Sequence, residues 1–281
     1  MDRDADYREL TSRNAGLMSD AEQRALRATR FVVAGCGSTG GACVMPLVRA
    51  GAERFVLLDP GTYELNNLNR QDAGRADLGV NKAVATAERV RSVNPYATVE
   101  VHVEGVLPGA IADALSDGDF VIDAIDVTTF EGVAAKLALH DAACARRLAV
   151  LTAYDIATSQ FVELFDYRRL RAPLRGRIHA DHTPAAVLRA LIPPWVLPRS
   201  IFPELIARRR EPTRPFPQLA MTSTQLGAII TPYVLRVLTG RPVRRRVRVD
   251  VDELVRPGSE GAFDELRRGL GLAALWWRLR D

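Results

Sequence analysis

The first half of the chain alternates short apolar runs with longer amphipathic stretches. Five of the runs have the length and the flanking turn residues of strands; in chain order they are RFVVA, RFVLL, TVEVHV, FVIDAID and LAVLT. The stretches between them carry helical spacing and begin near residues 41, 82, 109 and 130. This alternation of strand and helix predicts an α/β fold with a doubly wound, mostly parallel sheet.

The alternating unit covers residues 30–166, and the segments on either side of it show a different sequence pattern. In the N-terminal arm, residues 1–29, the tetrapeptide SDAE is a capping box and predicts a short helix that leads into the first strand. Residues 167–217 are rich in Arg and Pro and show little periodicity, so we expect a long crossover that is either a lid or a partly mobile segment. Residues 218–281 predict an uncharged helix, an alternating strand and an amphipathic tail that complete the same domain.

Composition is that of a globular protein, but charge is distributed unevenly. Residues 1–150 carry 16 basic and 21 acidic side chains, whereas residues 151–281 carry 22 and 13. The basic half is compatible with an acidic partner such as RNA, a peptide or a carrier protein, although clustered solvated arginines are the simpler explanation. We expect no signal peptide, because the N-terminal sequence MDRDADYREL has no apolar region, and no membrane span, because polar residues interrupt the long uncharged helix.

The number and spacing of the cysteines bear on disulfide, zinc and thioester chemistry. Cys36, Cys43 and Cys144 form no CxxC pair. Their odd number predicts a reducing, cytoplasmic location and argues against a four-cysteine zinc site. We expect Cys43 and Cys144 to fill the core, and because no cysteine follows Cys144, a thioester formed on the crossover is not expected.

A candidate nucleotide site begins where the first strand ends. The run GCGSTGG fits G-x-G-x-x-G, with Gly35, Gly37 and Gly40 at the glycine positions. The first glycine permits a tight turn, the second lets the backbone approach a phosphate, and the third lets the helix pack closely on the strand. Asp59 ends the second strand, where a carboxylate accepts hydrogen bonds from ribose hydroxyls. A dehydrogenase would share these features.

Three later residues favour a triphosphate over a dinucleotide. Arg70 and Lys82 would neutralise phosphate oxygens, and Asp126 would hold Mg²⁺ across them. Other interpretations stay open, with Arg70 as a salt-bridge partner, Lys82 as a solvated helix residue and Asp126 as a helix N-cap. The chain has only one other lysine, Lys136, which we expect on an exposed helix face.

Taken in order, G-x-G-x-x-G, the strand-end Asp, N-L-x-R-Q, Lys and D-x-x-D resemble the ThiF/MoeB/HesA family, relatives of the ubiquitin-activating enzymes. The resemblance covers about residues 10–165 and is nearest to bacterial stand-alone or nitroreductase-associated ThiF-like proteins. It implies a Rossmann-like domain that uses ATP and Mg²⁺ to adenylylate the C-terminal carboxylate of a small ubiquitin-fold carrier protein or a peptide. It also implies a homodimer, in which Arg13 of the TSRN motif reaches the site of the other subunit.

The same resemblance assigns roles to individual residues. The catalytic residues would be Arg13, Arg70, Lys82 and Asp126, with Asp126 also the magnesium ligand. The nucleotide-binding residues would be Gly35, Gly37, Gly40, Gly41, Asp59, Asn67 and Gln71. Three alternatives stay open: a related tRNA-modifying dehydratase, a non-catalytic half of an activating heterodimer, and a dehydrogenase. His140, His179 and His182 fit no metal spacing, and we expect them at the surface or in the crossover.

Overall fold

The computed structural model describes residues 2–211, 214–257, 269, 271 and 272, so the amphipathic tail lies almost entirely outside the described residues. The strands are β1 (Arg30–Ala34), β2 (Arg54–Leu58), β3 (Thr98–His102), β4 (Phe120–Asp123), β5 (Ala149–Ile156), β6 (Ser159–Asp166) and β7 (Arg246–Asp250). The helices are α1 (Arg3–Leu10), α2 (Asp20–Ala28), α3 (Gly40–Ala50), α4 (Lys82–Val93), α5 (Ile111–Ala114), α6 (Phe130–Ala145), α7 (Pro184–Leu191), α8 (Phe202–Arg210), α9 (Ala220–Leu238) and α10 (Val251–Val255).

All seven strands form one sheet in the order β3-β2-β1-β4-β5-β6-β7. The first five strands in this order, β3, β2, β1, β4 and β5, run parallel to one another. The pairs β5–β6 and β6–β7 are antiparallel. The prediction of a doubly wound, mostly parallel α/β fold is therefore confirmed. The chain leaves β1 for β2 on one side and reaches β4 on the other, so a crevice opens beside the carboxyl ends of β1 and β4.

Helices cover both faces of the sheet. Phe31 and Val33 of β1 face a core built with α3, α4 and α9. The alternate residues Val32 and Ala34 face a second core built with α5, α6 and α7. The central strands are buried on both sides, which is why they read as continuous apolar runs.

The predicted crossover, residues 167–217, contains two helices that the sequence pattern did not reveal, α7 and α8. Leu174 and Val187 are buried in the second core. Val196 and Ile201 are buried in a smaller third cluster beside the end of β5. The segment therefore packs on the sheet through side chains spread thinly between prolines and arginines. Within the described part of the chain, no helix combines the length and apolarity needed to cross a membrane.

The three cysteines are free thiols. Cys36 and Cys43 are fully buried, as expected of Cys43. Cys144 packs against the second core, as expected, although its thiol is only half-buried and lies 3.7 Å from the carbonyl oxygen of Arg171. Burial raises the pKa of all three thiols, which keeps them protonated near neutral pH.

A buried ionic cluster lies between β4 and α6. Lys136 Nζ donates to Asp123 Oδ2, as do His140 Nε2 at 2.9 Å and Thr152 Oγ1 at 2.8 Å. His140 Nδ1 lies 2.6 Å from the Tyr167 hydroxyl. The predictions of an exposed Lys136 and a surface His140 are wrong, since the two are 1% and 0% exposed. They lie one helical turn apart on the face of α6 that packs against the acid.

Burial decides the protonation states in this cluster. Burial by itself would raise the pKa of Asp123, but Lys136 and His140 hold that pKa well below its ordinary value. Burial lowers the pKa of His140, and the nearby Asp123 opposes this only in part. We infer a neutral imidazole that donates from Nε2 to Asp123 and accepts the Tyr167 hydroxyl proton at Nδ1.

The ionic cluster predicts a large stability loss for Lys136→Met. The substitution leaves Asp123 buried without its cation, so the free energy of unfolding in urea should fall by about 3–5 kcal/mol. The control Arg91→Met removes an exposed pair with Glu88 and should cost less than about 1 kcal/mol. The double variant Asp123→Asn/Lys136→Met should recover part of the loss. Equal costs for Lys136→Met and the control would contradict the buried pair.

The cluster also predicts a pH effect that depends on His140. The unfolded chain takes up a proton near the ordinary histidine pKa of 6.5, whereas the folded chain does so only at lower pH. Stability should therefore fall as pH drops below about 6.5. His140→Gln keeps one donor and one acceptor but does not titrate, so its unfolding free energy should fall less between about pH 6.5 and pH 5. The exposed control His179→Gln should follow the wild type, and parallel curves for His140→Gln would rule out the neutral imidazole.

Candidate functional site

The candidate site lies where β1 turns into α3. Gly35 has a φ of +94°, and a Cβ atom there would lie 2.5 Å from the carbonyl oxygen of Ala124. A Cβ atom on Gly40 would lie 1.8 Å from the carbonyl oxygen of Gly35, and one on Gly41 would lie 2.8 Å from that of Cys36. The helix therefore touches the strand end backbone to backbone. The start of α3 therefore lies at the crevice, where folds of this type bind phosphate.

Asp59 braces the glycine turn from β2. Its Oδ2 atom accepts the Cys36 backbone N–H at 2.6 Å, and its Oδ1 atom accepts the Gly61 N–H at 2.7 Å. Asn81 donates its side-chain amide to the Asp59 carbonyl oxygen at 2.8 Å and caps α4 by accepting from Ala83 at 2.9 Å. A carboxylate has about four acceptor positions, so Asp59 retains capacity for ribose hydroxyls.

Gln71, in the loop after β2, and Lys82, the first residue of α4, approach the turn from the same side of the chain's path after β2. A Cβ atom on Gly61 would lie 3.1 Å from Asp59 Oδ1 and 3.4 Å from Lys82 Nζ, which places the ammonium beside the acid. A Cβ atom on Gly37 would lie 3.8 Å from Gln71 Nε2. Lys82 is half-buried and forms no ion pair with the described residues. No salt bridge among the described residues therefore neutralises the charge of Lys82.

Arg70 lies in the same loop with part of its guanidinium unused. Its Nη1 atom donates to the carbonyl oxygen of Asn66 and to Asn69 Oδ1, both at 2.8 Å. Its Nε atom is buried and has no hydrogen-bond partner among the described residues. Arg70 also forms no salt bridge with any of these residues. Burial lowers the pKa of Arg70, and the negative charge of Asp155 opposes that shift.

Asp126 stands on the loop that follows β4. It is exposed, and its Oδ1 atom accepts the Thr128 N–H at 2.9 Å. Thr129 supplies the N-cap of α6, so the N-cap interpretation of Asp126 is wrong. The loop starts against the glycine turn through the contact of Ala124 with Gly35. One exposed carboxylate fits Mg²⁺, which is commonly bound by one or two carboxylates together with substrate phosphates and water.

Arg13 lies away from the glycine turn, whereas the carbonyl oxygen of Asn67 accepts the backbone N–H groups of Arg70 and Gln71 at 3.1 and 2.9 Å. Arg13 is exposed in the turn Ser12–Asn14, and Asn14 donates to the carbonyl oxygen of Ala50 at 3.0 Å. Ala50 ends α3, so Arg13 lies roughly 16 Å along that helix from the glycine turn of its own chain. Asn67 is 7% exposed, and its Oδ1 atom accepts the Glu64 N–H at 3.1 Å, which shapes the loop.

Sequence reasoning missed Asp155, which lies near the end of β5. Both of its carboxylate oxygens are buried and lack a hydrogen-bond partner among the described residues. Burial raises its pKa, and the hydroxyls of Ser38 and Thr39 and the charge of Arg70 moderate the rise. The available signal was an acid inside the otherwise apolar run LTAYDI. Among the described residues, no group of three or more side chains forms a metal cluster of its own.

The backbone contact at Gly40 makes Gly40→Ala a sharp test of the turn. The added methyl group collides with Gly35, so we expect a loss of about 1–3 kcal/mol or more in unfolding free energy. ATP binding measured by calorimetry should weaken by more than about tenfold, because the turn must open to relieve the collision. The control Gly109→Ala has no atom within 4 Å of the new methyl group and should leave both quantities unchanged. Normal ATP affinity in Gly40→Ala would contradict the close contact.

Comparison with known proteins identifies the family of the chain. The ThiF family model matches residues 11–247. The uncharacterized protein MT1398 of Mycobacterium tuberculosis is 34% identical over 251 residues, which are 85% of this chain and 34% of that protein. The sulfur carrier protein ThiS adenylyltransferase of Bacillus subtilis is 33% identical over 124 residues, which are 43% of this chain and 35% of that protein. The chain thus covers about a third of the length of these relatives.

A solved structure shows the same fold. The E. coli tRNA N6-threonylcarbamoyladenosine dehydratase TcdA in complex with ATP has a TM-score of 0.58 and 21% identity, over 83% of this chain and 95% of that one. The family match extends from the N-terminal turn to the start of β7, a span that includes the glycine turn, Asp59, Lys82 and Asp126. The chain therefore belongs to the ThiF family.

Proposed function

We propose that the chain uses ATP to adenylylate the C-terminal carboxylate of a small ubiquitin-fold carrier protein or a peptide, with release of pyrophosphate. One observation carries the proposal. Lys82 Nζ and Asp59 Oδ1 both lie near Gly61 beside the glycine turn, and among the described residues Lys82 forms no salt bridge with Asp59 or with any other acid. A dinucleotide site has no evident use for that free cation, whereas a triphosphate does.

The proposed binding mode follows from the residues around the turn. The backbone N–H groups of the turn and of the start of α3 would bind the phosphates. Asp59 would bind the ribose hydroxyls with its remaining acceptor positions. Gln71 lies close enough to Gly37 to help order the turn around a phosphate. The family resemblance implies a nucleotide-binding role for Asn67, and in this chain its role would be to hold the loop that carries Arg70 and Gln71.

The chemical step is attack of the substrate carboxylate on the α-phosphorus. A new C–O–P linkage forms, the bond between the α-phosphorus and its bridging oxygen breaks, and pyrophosphate leaves with the electron pair. Lys82 and Arg70 would stabilise the negative charge that develops on the phosphate oxygens. Asp126 would hold Mg²⁺, which supplies further neutralisation of phosphate charge when bound. Catalysis here is mainly positioning and electrostatic stabilisation.

We further propose a homodimer in which Arg13 acts on the site of the other subunit. Arg13 is exposed and far from the glycine turn of its own chain, so it would contribute to catalysis only across a subunit interface. A guanidinium supplied in this way stabilises charge at the reacting phosphorus. The three free thiols, with no CxxC pair, favour a reducing cytoplasmic setting.

The adenylate would pass directly to its acceptor without a thioester. Cys36 and Cys43 are fully buried, and burial raises the pKa of each thiol, as it does for Cys144. A nucleophilic cysteine needs the thiolate form, which these surroundings disfavour. No cysteine follows Cys144 in the sequence.

A second candidate is adenylylation within a tRNA-modifying dehydratase reaction. The likeness to TcdA and the excess of basic residues in the second half of the chain favour it. Binding of unmodified tRNA that weakens steeply with salt would support this candidate. No binding at low salt would remove it.

The leading proposal predicts ATP–pyrophosphate exchange that depends on a peptide carboxylate. The probes are synthetic peptides ending in Gly-Gly, each with a free or an amidated C-terminus. Lys82→Ala and Asp126→Asn should each reduce exchange by about 10²–10³, because each removes a charge that stabilises the transition state. The matched controls Arg75→Ala, in the same loop, and Asp113→Asn, on α5, are exposed and should exchange normally. Exchange that is unaffected by both site variants, or equal with amidated peptides, would overturn the proposal.

A further inference from the structure

The end of the β5–β6 hairpin carries buried oxygen acceptors that the proposed ATP chemistry does not use. Asp155 and Gln160 are register partners across the two strands, which puts their side chains on the same face of the sheet. Both carboxylate oxygens of Asp155 and the Oε1 atom of Gln160 are buried without a hydrogen-bond partner among the described residues. Gln160 itself is 0% exposed.

These acceptors adjoin the glycine turn. Ala153, two residues before Asp155, faces the core built with α3 and α9, so Asp155 points to the same side. The hydroxyls of Ser38 and Thr39, at the start of α3, are near enough to lower the pKa of Asp155, although neither meets hydrogen-bond geometry with the carboxylate. Arg70 is the cation on this side, and its charge reaches Asp155 without forming an ion pair.

A third acceptor borders the same hairpin from α9. Gln225 donates its side-chain amide to the carbonyl oxygen of Thr158 at 3.1 Å, which leaves its buried Oε1 atom without a partner among the described residues. Gln225 is 6% exposed. Native proteins pair nearly all buried polar atoms, so a cluster of unpaired acceptors beside a ligand site indicates a ligand that supplies donors.

The chemistry of the acceptors selects the ligand. A primary ammonium group offers three donors and a positive charge, whereas a thiol or a hydroxyl offers one donor and no charge. A carboxylate flanked by amide oxygens matches the ammonium in donor number and in charge. We propose that Asp155 and Gln160 bind the amino group of the nucleophile that captures the acyl-adenylate, so that the product is an amide; this inference rests on the function proposed above.

In the proposed step, Asp155 takes one proton from the bound ammonium, which frees the nitrogen lone pair. The lone pair forms a C–N bond with the acyl carbon, the C–O bond to the phosphate of AMP breaks, and AMP leaves with the electron pair. The second N–H proton passes to the departing AMP phosphate or to water, which leaves a neutral amide. A positioned general base of this kind typically contributes 10²–10⁴-fold to the rate.

The experiment separates adenylate formation from amine capture. Wild-type protein and Asp155→Asn are loaded with ATP and a peptide ending in Gly-Gly, then mixed with either Nα-acetyl-lysine methylamide or an N-acetylcysteine amide. In Asp155→Asn, pyrophosphate exchange and thiol capture should stay within about threefold of wild type, while amine capture slows by about 10²-fold or more. The exposed control Asp113→Asn should behave as wild type in all three assays.

A second variant guards against a folding defect. Gln160→Leu removes only the neutral acceptor, so it should raise the amine concentration needed for half-maximal capture by about tenfold and leave exchange unchanged. Thermal unfolding of each variant identifies any that fails to fold, and Gln160→Leu then decides the question alone.

The outcomes are distinguishable. Wild-type protein that shows no exchange with any peptide contradicts the proposed adenylylation, and the amine site falls with it. Intact exchange with equal amine capture in wild type and both variants overturns the amine site alone. A raised Mg²⁺ requirement for exchange in Asp155→Asn would make Asp155 a metal ligand and would also overturn the amine site.

Discussion

The contact between the glycine turn and the first residues of α3 is the constraint on which the site depends. Gly40 lies so close to the carbonyl oxygen of Gly35 that no side chain fits between them. Asp59 holds the same turn from β2 through the Cys36 N–H. The ends of β1 and β2 and the start of α3 are thereby fixed to one another at the switch point of the sheet. The proposed nucleotide site is built around this contact.

The buried ionic cluster between β4 and α6 fixes a second part of the site. Asp123, buried with Lys136 and His140, also accepts the Ile125 N–H at 3.2 Å through its other oxygen. The buried acid therefore shapes the loop that leads to Asp126. A fully hydrogen-bonded buried charge fixes one arrangement of its surroundings, because any other would leave it unpaired. In this way the core facing α6 helps to place an exposed carboxylate on the edge of the crevice.

Local signals in the sequence account for the elements near the site. The bounds of β1, β2 and α4 follow from continuous apolar runs and from Asn81, which caps α4. The helices α7 and α8 escaped prediction because they are only 8 and 9 residues long and lie in a segment rich in prolines and arginines. Their burial depends on the sheet beneath them, and a local pattern does not contain that information.

The same limit explains the misplaced side chains. Val133, Lys136 and His140 follow the spacing of a buried helix face, but the lysine looked exposed because its partner, Asp123, lies on a different element. Asp155 and Gln160 face the same side only through the register of an antiparallel pair. The order of motifs along the chain predicted Arg70, Lys82 and Asp126 as a set. How their side chains are held follows from tertiary contacts.

The central claim is that a substrate carboxylate attacks the α-phosphorus of ATP at the glycine turn. Transfer of a heavy-oxygen label tests it most directly. A Gly-Gly peptide labelled in both carboxylate oxygens is turned over with ATP and an acceptor, and the released nucleotide is examined by mass spectrometry. The account predicts AMP that carries one labelled oxygen, together with unlabelled pyrophosphate. Unlabelled AMP, or ADP with labelled phosphate, would contradict it.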